Sequence, residues 1–435
     1  MAQAGVAAGD ETDVRWQLER RRREVADRWG LRRELVVIGA GERVPIPGRG
    51  DLTYPFRAHS EYFYLTDRER PGGVLAFDPD TGWVDFVVPV SRAERLWEGA
   101  PADEQVGTPT TEFVGWLSAR RDRPVAGLGA PVSAVAATAG LTAEVRSALN
   151  YVRRPKDAVE LERMRVAERA TRAGFAGIFG FLSSGRTERQ VQIELEAEFL
   201  RHGADKLAFE TIVAGGPNSA VLHNAPTARP LSDRELVLID AGGEYRGYAS
   251  DVTRTYPVSG RFTPEQAAIH ELVHSAAQAA TSSCTAGTEW REVHRTAALV
   301  IADGLAELGL LRGGPETLVD SGAVSLFFPH GIGHMVGLGV RDASEILPGR
   351  GPDSTVTPGL RTDLPLQPGH VVTVEPGIYF VPALLGEREA RERLRDEVNW
   401  DRADAMLGFG GIRIENNVLV TEDGYEVLTG DIPLL

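Results

Sequence analysis

Two aspartates flank a glycine-rich turn near the middle of the chain. Asp240 lies near the end of the apolar run 236–241, and Asp251 precedes a second run of strand-forming residues. Apolar runs on both sides of such a turn predict a β-hairpin. A turn centred between Tyr245 and Arg246 would put the two carboxylates directly opposite each other, with Cβ atoms roughly 5 Å apart. Because facing carboxylates repel, we expect a cation between them; two solvent-exposed acids are the alternative.

Two histidines follow in a short glycine-containing segment. His330 and His334 are separated by Gly331, Ile332 and Gly333. The glycines disfavour a helix, so the pair differs from the helical zinc motif and the two rings need not bind one metal. Neutral imidazole is a common ligand of divalent transition metals. Taken alone, the segment is compatible with either a metal ligand or a histidine of the protein core.

Two glutamates lie in or directly after later apolar strands. Glu375 follows residues 371–374, and Glu415 ends the run 411–415. Arg413, two residues before Glu415, is expected on the same sheet face. A buried carboxylate needs a cation or several hydrogen-bond donors, so an ion pair between Arg413 and Glu415 is the simple alternative to a metal.

Together, these residues match the ligand set of a binuclear metal site. Oxygen-rich ligation with one or two imidazoles favours Mn²⁺, and Co²⁺, Fe²⁺ and Zn²⁺ are the alternatives. The sequence therefore predicts two divalent metal ions, Mn²⁺ foremost, with the ligands Asp240, Asp251, His334, Glu375 and Glu415.

Two rounds of helices followed by strands carry these residues. The first round predicts helices over 157–182 and 187–200, and the second predicts helices that begin near Thr263 and Thr288. Strands are predicted after each helix pair, over 209–213, 220–223, 236–241 and 248–256 and then over 336–340, 371–374 and 412–420. For residues 156–435 this order predicts an α+β catalytic domain with an internal pseudo-two-fold repeat. A long connection rich in Pro and Gly spans 342–370, and loops of this length are often functional.

The first part of the chain, residues 1–155, has a different pattern. Strand-like segments alternate with helix-like segments, which is typical of an α/β domain. The predicted strands are 35–39, 62–65, 73–77 and 83–88, and the predicted helices are 14–29 and 91–97. Because this part has no dense cluster of polar residues suited to catalysis, we expect it to have a supporting or oligomer-forming role.

Composition excludes several classes of protein. The 435 residues have a net charge of -15, which disfavours binding to a phosphate backbone. No apolar run approaches the roughly 20 residues of a membrane-spanning helix, and the N-terminus has no secretion signal. We therefore expect a cytoplasmic protein without membrane or nucleic-acid partners. The single cysteine, Cys284, lacks electropositive neighbours and is predicted to be a buried core residue.

At the metal-binding candidates, the sequence resembles the pita-bread metallopeptidases, in particular the Xaa-Pro aminopeptidase and prolidase branch. The resemblance covers essentially the whole chain and is most specific over 209–263 and 330–415. It implies an N-terminal α/β domain and a pita-bread catalytic domain. It also implies a homodimer or homotetramer that hydrolyses the N-terminal X–Pro bond of a peptide or dipeptide with proline at position two.

The resemblance implies a role for each metal ligand. Asp240 and Asp251 would bind one metal ion. Asp251 and Glu415 would bridge to a second ion, which His334 and Glu375 complete.

Catalytic and substrate-binding roles are implied in the same way. His223 is expected near the scissile carbonyl, and His330 in the pocket for proline. Glu375 is the candidate for proton transfer to the proline nitrogen as it leaves. The residues expected to contact substrate are His223, His330, Arg341, Arg361 and Arg413.

Two of these arginines bear on substrate choice. Arg361 has the spacing from Glu375 of the prolidase arginine that binds a dipeptide carboxylate, which slightly favours dipeptides; an exposed loop arginine is the alternative. Arg341 stands where both branches usually have a histidine, and a fixed cation cannot exchange protons near pH 7 as imidazole does. The change is expected to slow catalysis, add a second carboxylate contact or accompany specialised substrates. The alternative function is thus an impaired or specialised member that binds peptides or acts on another small C–N substrate.

Overall fold

The computed structural model describes residues 8–99, 106–350 and 359–434, with side chains from Val14 onward. The chain folds as two compact units that divide between Arg153 and Arg154. We refer to them as the first unit and the second unit. Among the described residues, no helix has both the length and the apolar composition needed to cross a membrane.

A five-stranded mixed sheet forms the centre of the first unit. Its strands are β1 (Leu35–Gly39), β2 (Val74–Asp78), β3 (Gly82–Val87), β4 (Thr108–Pro109) and β5 (Val125–Gly129), in the spatial order β4-β3-β2-β1-β5. β1 pairs antiparallel with β2 and parallel with β5. Because every residue of β1 is buried, its sequence is a continuous apolar run rather than an alternating one. The helices are α1 (Ala8–Trp29), α2 (Ser60–Thr66), α3 (Arg92–Trp97), α4 (Phe113–Ser118) and α5 (Ala139–Arg153). The predicted α/β class is confirmed.

One predicted strand of the first unit is a helix. Residues 62–65 lie in α2, which begins at Ser60 after His59, whose ring accepts a hydrogen bond from the backbone N–H of Glu61. All four residues of the predicted strand are buried. A short run that is buried all round shows neither the two-residue period of a half-exposed strand nor the 3.6-residue period of an amphipathic helix. Periodicity therefore cannot distinguish the two structures here.

The second unit contains two rounds of paired helices and antiparallel strands. The first pair is α6 (Ala158–Ile178) and α7 (Glu188–Arg201), and the second pair is α8 (Pro264–Ser282) and α9 (Trp290–Glu307). Four short helices are α10 (Pro315–Asp320), α11 (Pro382–Leu385), α12 (Arg388–Arg393) and α13 (Trp400–Ala405). The strands of the first round are β6 (Lys206–Leu207), β7 (Ile212–Gly215), β8 (Leu236–Ala241), β9 (Gly243–Tyr245), β10 (Tyr248–Ala249) and β11 (Val252–Pro257). Those of the second round are β12 (Val371–Val374), β13 (Gly377–Tyr379), β14 (Gly411–Arg413), β15 (Asn416–Thr421) and β16 (Gly424–Val427).

Each helix pair shares an apolar core with its own sheet. α6 and α7 pack with the sheet of order β11-β8-β7, through residues such as Phe199 and Ile239. α8 and α9 pack with the sheet of order β12-β15-β16, through residues such as Ile301 and Val372. Cys284 lies in this second core, as predicted, and burial raises the pKa of its thiol to about 12. The predicted α+β class with repeated halves is confirmed.

Capping boxes define where three of these helices begin. In each box, the cap side chain and the side chain three residues later accept hydrogen bonds from each other's backbone N–H groups. This satisfies donors that a helix N-terminus otherwise leaves unpaired. The boxes of α6, α7 and α8 are formed by Asp157 with Glu160, Thr187 with Gln190 and Thr263 with Gln266.

Several predicted strands of the second unit are wrong or interrupted. Residues 220–223 follow a 3₁₀-helix that ends at Ala220 and form no strand. Residues 336–340 form only isolated bridges, because three glycines over 333–339 break the ladder. The predicted strands 248–256 and 412–420 are each split, at Ser250–Asp251 and at Ile414–Glu415. Both interruptions occur at one of the predicted metal ligands.

Candidate active site and metal centre

The hairpin that carries Asp240 and Asp251 has a different register from the predicted one. Its turn is formed by Arg246 and Gly247, which have positive φ angles of 51° and 82°. Such angles are typical of the type I′ turn that joins two strands directly. Asp240 consequently pairs with Thr253, and Asp251 lies two residues before that partner. A shift of two residues keeps both carboxylates on one sheet face, as diagonal neighbours instead of opposite ones.

All the candidate site residues line one cleft of the second unit, with a volume of about 850 Å³. The cleft contains the five predicted metal ligands, Asp240, Asp251, His334, Glu375 and Glu415. It also contains the predicted substrate-binding residues, His223, His330, Arg341, Arg361 and Arg413.

Three of the predicted metal ligands form a compact group. The ligand atoms of Asp251, His334 and Glu415 all lie within 4.8 Å of one another. His334 Nε2 is 3.5 Å from Asp251 Oδ2 and 3.9 Å from Glu375 Oε1. Asp240 Oδ1 is buried and has no hydrogen-bond partner in the described part of the chain. The arrangement thus offers acceptor atoms from all five side chains to one region of the cleft.

The surroundings of His334 determine which ring nitrogen faces the carboxylates. His334 Nδ1 is 3.1 Å from the carbonyl oxygen of Met335, so Nδ1 carries the proton of the neutral ring and Nε2 remains an acceptor. The backbone N–H of His334 donates to Thr373 Oγ1 at 3.0 Å. A Cβ atom at Gly333, whose φ is 154°, would lie 2.1 Å from the carbonyl oxygen of Thr373. Glycine is therefore required for the close approach that orients His334.

Burial disfavours the charged form of the acids in the cleft. It raises the pKa of Asp240 to about 7, and repulsion from Asp251 adds to this effect. Burial also raises the pKa of Glu375 and of Glu415. Burial lowers the pKa of His334, but the hydrogen bond and charge of Asp251 outweigh it and raise that pKa above its ordinary value. A divalent cation fits this donor set, because it would displace the retained protons and neutralise the carboxylates.

Arg413 connects the carboxylates to the wall of the cleft. It forms an ion pair with Asp240, whereas the sequence had suggested Glu415 as its alternative partner. Its Nε donates to Thr253 Oγ1 at 3.0 Å, and that hydroxyl donates to Glu415 Oε2 at 2.7 Å. Its Nη1 donates to the Tyr379 hydroxyl at 2.8 Å. One guanidinium therefore orients two of the predicted ligands, one of them through Thr253.

His330 is held as a neutral ring. Burial and the charge of Arg413 lower its pKa to about 3. Nδ1 is 2.8 Å from the carbonyl oxygen of Gly331, to which it donates, and Nε2 accepts from the Tyr379 hydroxyl at 3.0 Å. The rings of Phe328 and Tyr379 lie edge-on to it, with centroids at 5.0 and 5.4 Å. With both nitrogens engaged, His330 is suited to packing rather than to proton transfer.

Sequence reasoning missed Thr253 and Tyr379. Thr253 lies two residues after Asp251, and Tyr379 lies two residues after Gly377, which pairs with Arg413. Side chains two residues apart on a strand share a face, so a step of two residues from Asp251 leads to Thr253. Two such steps from Glu375 lead to Tyr379.

Two side chains fix the segment around Glu415. The buried guanidinium of Arg254 donates to backbone oxygens of the C-terminal part of the chain, those of Glu415 (2.6 Å), Ile432 (3.0 Å) and Thr429 (3.3 Å). Asn417 accepts from the backbone N–H of Asp251 at 3.0 Å and donates to its carbonyl oxygen at 2.9 Å. These bonds hold the two predicted bridging ligands together.

The remaining candidates lie on the rim of the cleft. His223, Arg341 and Arg361 are exposed, and none of the three side chains forms a hydrogen bond or ion pair within the described residues of the second unit. Burial lowers the pKa of His223, and the charges of Arg413, Arg341 and Arg361 lower it further. The His223 ring is therefore neutral near pH 7.

Comparisons with known proteins identify the family of the chain. The model of metallopeptidase family M24 matches residues 162–422, and the model of the aminopeptidase P N-terminal domain matches residues 18–113. A probable Xaa-Pro aminopeptidase of Botryotinia fuckeliana is 31% identical over 395 residues, which cover 87% of this chain and 86% of the relative. One of Fusarium vanettenii is 32% identical over 400 residues, which cover 87% of this chain and 85% of the relative.

Solved structures match along nearly the whole length. Aminopeptidase PepP of Pseudomonas aeruginosa has a TM-score of 0.77 and 29% identity, with 96% of each chain covered. Proline aminopeptidase P II of Yersinia pestis has a TM-score of 0.76 and 28% identity, again with 96% of each chain covered. The chain therefore belongs to metallopeptidase family M24, with an aminopeptidase P N-terminal domain and a catalytic domain of the pita-bread fold.

Proposed function

We propose that this protein is a Xaa-Pro aminopeptidase, which hydrolyses the bond between the first residue of a peptide and a proline at position two. The observation that carries the proposal is the group of Asp251, His334 and Glu415 atoms within 4.8 Å of one another. Asp240 and Glu375 line the same cleft. The fungal relatives are named Xaa-Pro aminopeptidases and the bacterial structures aminopeptidases P, which supports the same activity.

We infer a binuclear site for two divalent ions, Mn²⁺ foremost. Asp240 and Asp251 would bind one ion. Asp251 and Glu415 would be shared with the second ion, which His334 and Glu375 complete. The retained protons of the buried acids support this assignment, because metal binding removes them. When bound, such ions supply Lewis-acid chemistry that activates water at neutral pH.

The side chains of the cleft then position the peptide. The neutral ring of His223 on the rim donates a hydrogen bond to the scissile carbonyl oxygen. Glu375 takes a proton from the attacking water and passes it to the proline nitrogen as the C–N bond breaks. His330 lines the cleft with the buried rings of Phe328 and Tyr379 packed against it, and the proline ring packs against His330. In this proposal His330 binds substrate and takes no part in proton transfer.

A preference for X-Pro dipeptides is the second candidate, and Arg361 is the observation that favours it. Its guanidinium lines the cleft without an acidic partner in the described residues of the second unit. A planar guanidinium suits the carboxylate that a dipeptide presents directly after its proline ring. The names of the relatives favour longer peptides instead.

Hydrolysis assays with Mn²⁺-loaded protein test the proposal. We expect release of alanine from Ala-Pro-Ala-NH₂ or Ala-Pro, and none from Ala-Ala-Ala-NH₂. Faster cleavage of the longer peptide would defeat the dipeptidase version.

Asp251→Ala is expected to lose both bound metal and turnover, whereas Glu392→Gln, a substitution of an exposed acid that does not line the cleft, should change neither. Metal-loaded protein that cleaves no X-Pro substrate would overturn the proposal in favour of a member that binds peptides or acts on another substrate. The dimeric or tetrameric state and the cytoplasmic location stay predictions.

A further inference from the structure

Arg341 and Arg361 differ from the other arginines of the cleft. Arg413 is bonded to Asp240, Thr253 and Tyr379. Neither Arg341 nor Arg361 has a hydrogen-bond or ion-pair partner among the described residues of the second unit, although both line the cleft. Two unpaired guanidinium groups beside a catalytic cleft indicate a site for an anion from outside the chain.

The segments that carry the two arginines are joined to each other. The backbone N–H of Asp363 donates to the carbonyl oxygen of Glu345 at 2.9 Å, and that of Leu347 donates to the carbonyl oxygen of Asp363 at 3.2 Å. The Thr362 hydroxyl donates to the carbonyl oxygen of Glu345 at 3.2 Å. Arg341 and Arg361 therefore project from one scaffold rather than from two independent loops.

Ion pairs anchor this scaffold next to each arginine. Asp342, directly after Arg341, pairs with Lys156 at 2.8 Å, and both side chains are 1% exposed. Asp363, two residues after Arg361, accepts hydrogen bonds from Arg291 at 3.2 Å and from Arg350 at 2.9 Å. The backbone on which the two guanidinium groups stand is thus fixed before any ligand binds, which reduces the entropy lost on binding.

The charges of the two arginines act on the same part of the cleft. Both line the same cleft; burial lowers the pKa of Arg361, and repulsion from the charge of Arg341 lowers it further. Both arginines lower the pKa of His223, and Arg361 also lowers that of His330. In the proposed function His223 binds the scissile carbonyl and His330 lines the proline pocket. The two cations line the cleft together with these histidines and lie within electrostatic reach of them.

We propose that Arg341 and Arg361 form a two-arginine subsite that selects peptides with an acidic residue directly after the proline. The proposal rests on the proposed function and narrows its substrate class to X-Pro-Asp and X-Pro-Glu peptides. A carboxylate between the two guanidinium groups relieves their repulsion and accepts charge-assisted hydrogen bonds from both. A neutral imidazole at position 341 would supply at most one donor.

Matched peptides test the subsite on the Mn²⁺-loaded enzyme. We expect Ala-Pro-Glu-NH₂ to exceed Ala-Pro-Gln-NH₂ in kcat/KM by about tenfold, as charge-assisted hydrogen bonds of this strength predict. The difference should reside mainly in KM and shrink as the salt concentration rises. Arg341→Gln and Arg361→Gln should each reduce the ratio toward one, whereas Arg388→Gln, an exposed arginine outside the cleft, should preserve it.

The outcomes separate the two proposals. Equal cleavage of the Glu and Gln peptides would overturn the subsite and leave the proposed function intact, whereas cleavage of neither would overturn the function itself. A ratio that persists in Arg341→Gln would remove Arg341 from the subsite. Ala-Pro and Ala-Pro-NH₂ form a further pair: a strong preference for the free acid without a preference for Glu would assign the arginines to a dipeptide carboxylate and overturn the acidic-residue specificity.

Discussion

The pKa values of buried carboxylates shift in opposite directions in the first unit and in the cleft of the second unit. In the first unit, the nearly inaccessible Asp78 lies 2.7 Å from Arg120 and 3.0 Å from Arg123. Burial raises its pKa, but the two arginines and a backbone donor outweigh burial and lower that pKa to about 2. In the cleft, burial raises the pKa of Asp240 to about 7 even though Arg413 is its ion-pair partner.

The difference is one of local charge balance. Asp78 has two arginines, whereas the buried Arg413 stands beside the four carboxylates of the predicted metal ligands and forms its ion pair with Asp240. A buried carboxylate needs a cation, which the chain itself can supply. Where the chain does not supply enough of them, the acids either retain protons or bind a cation from solution. A structural acid such as Asp78 thus differs from the candidate metal ligands in its local charge balance.

Glu415→Gln is expected to have the largest effect on the metal site and on turnover. The substitution removes the proposed bridging carboxylate, so we expect kcat on an X-Pro peptide to fall by about a thousandfold or more. Bound metal, measured by elemental analysis after dialysis, should fall below two ions per chain. Wild-type metal content and turnover in this variant would show that Glu415 is a structural acid like Asp78.

Arg413→Lys tests whether one cation serves several cleft groups. Lysine keeps the charge but lacks the planar fork that contacts Asp240, Thr253 and Tyr379 together. We expect turnover to fall by about 10- to 100-fold, as for other residues that orient metal ligands. Arg120→Lys is the matched variant in the first unit, and it should affect stability alone. Equal losses of turnover in the two variants would contradict the comparison.

Asp78→Asn and Glu415→Gln should have opposite effects on the stability of the metal-free protein. Asp78→Asn removes a paired charge and is expected to lower the free energy of unfolding by about 1–3 kcal/mol. Glu415→Gln removes a carboxylate that repels its neighbours and should raise the free energy of unfolding near pH 8. Urea unfolding in the presence of a chelator measures both. Destabilisation by both variants would mean that the charges of the cleft are balanced without a metal ion.

The two regions should also respond differently to pH. The folded-state pKa of Asp240, about 7, lies above its ordinary value of 3.8, so its contribution to metal-free stability is lost as pH rises from about 4 to 7. For Asp78, with a folded-state pKa of about 2, stability is lost only as pH falls below about 4.

Because metal ions displace protons from the cleft, Mn²⁺ affinity should rise by about tenfold per pH unit for each proton displaced. Calorimetric titrations between about pH 5.5 and 7.5 would show this, and an affinity independent of pH would contradict it.

Local sequence predicts the ligands and their strands better than the pairing between strands. The bounds of β8 and β12 follow directly from the apolar runs 236–241 and 371–374. The hairpin register does not, because it depends on the positive φ of Arg246, a conformation that few non-glycine residues adopt. The carboxylates nevertheless share a face, since an error of two residues preserves the alternation of a strand.

The connections within the site depend on tertiary structure. Arg413 and Glu415 share a sheet face, as predicted, but Thr253 lies between their side chains and Asp240 takes the ion pair. Some 160 residues separate Thr253 from Glu415, so no local pattern contains this arrangement. The unpaired state of Arg341 and Arg361 is likewise a property of the folded cleft, where no acid of the described second unit reaches them.

Arg254 connects the candidate metal site to a segment about 175 residues further along the chain. Its guanidinium donates to the carbonyl oxygen of Glu415 and also to those of Thr429 and Ile432. A ribosome translating this message adds Asp251 about 180 residues before Ile432. Residues 429–432 therefore support the candidate site, although they do not line the cleft. We expect the backbone of Glu415 to become fixed only after these residues have been translated.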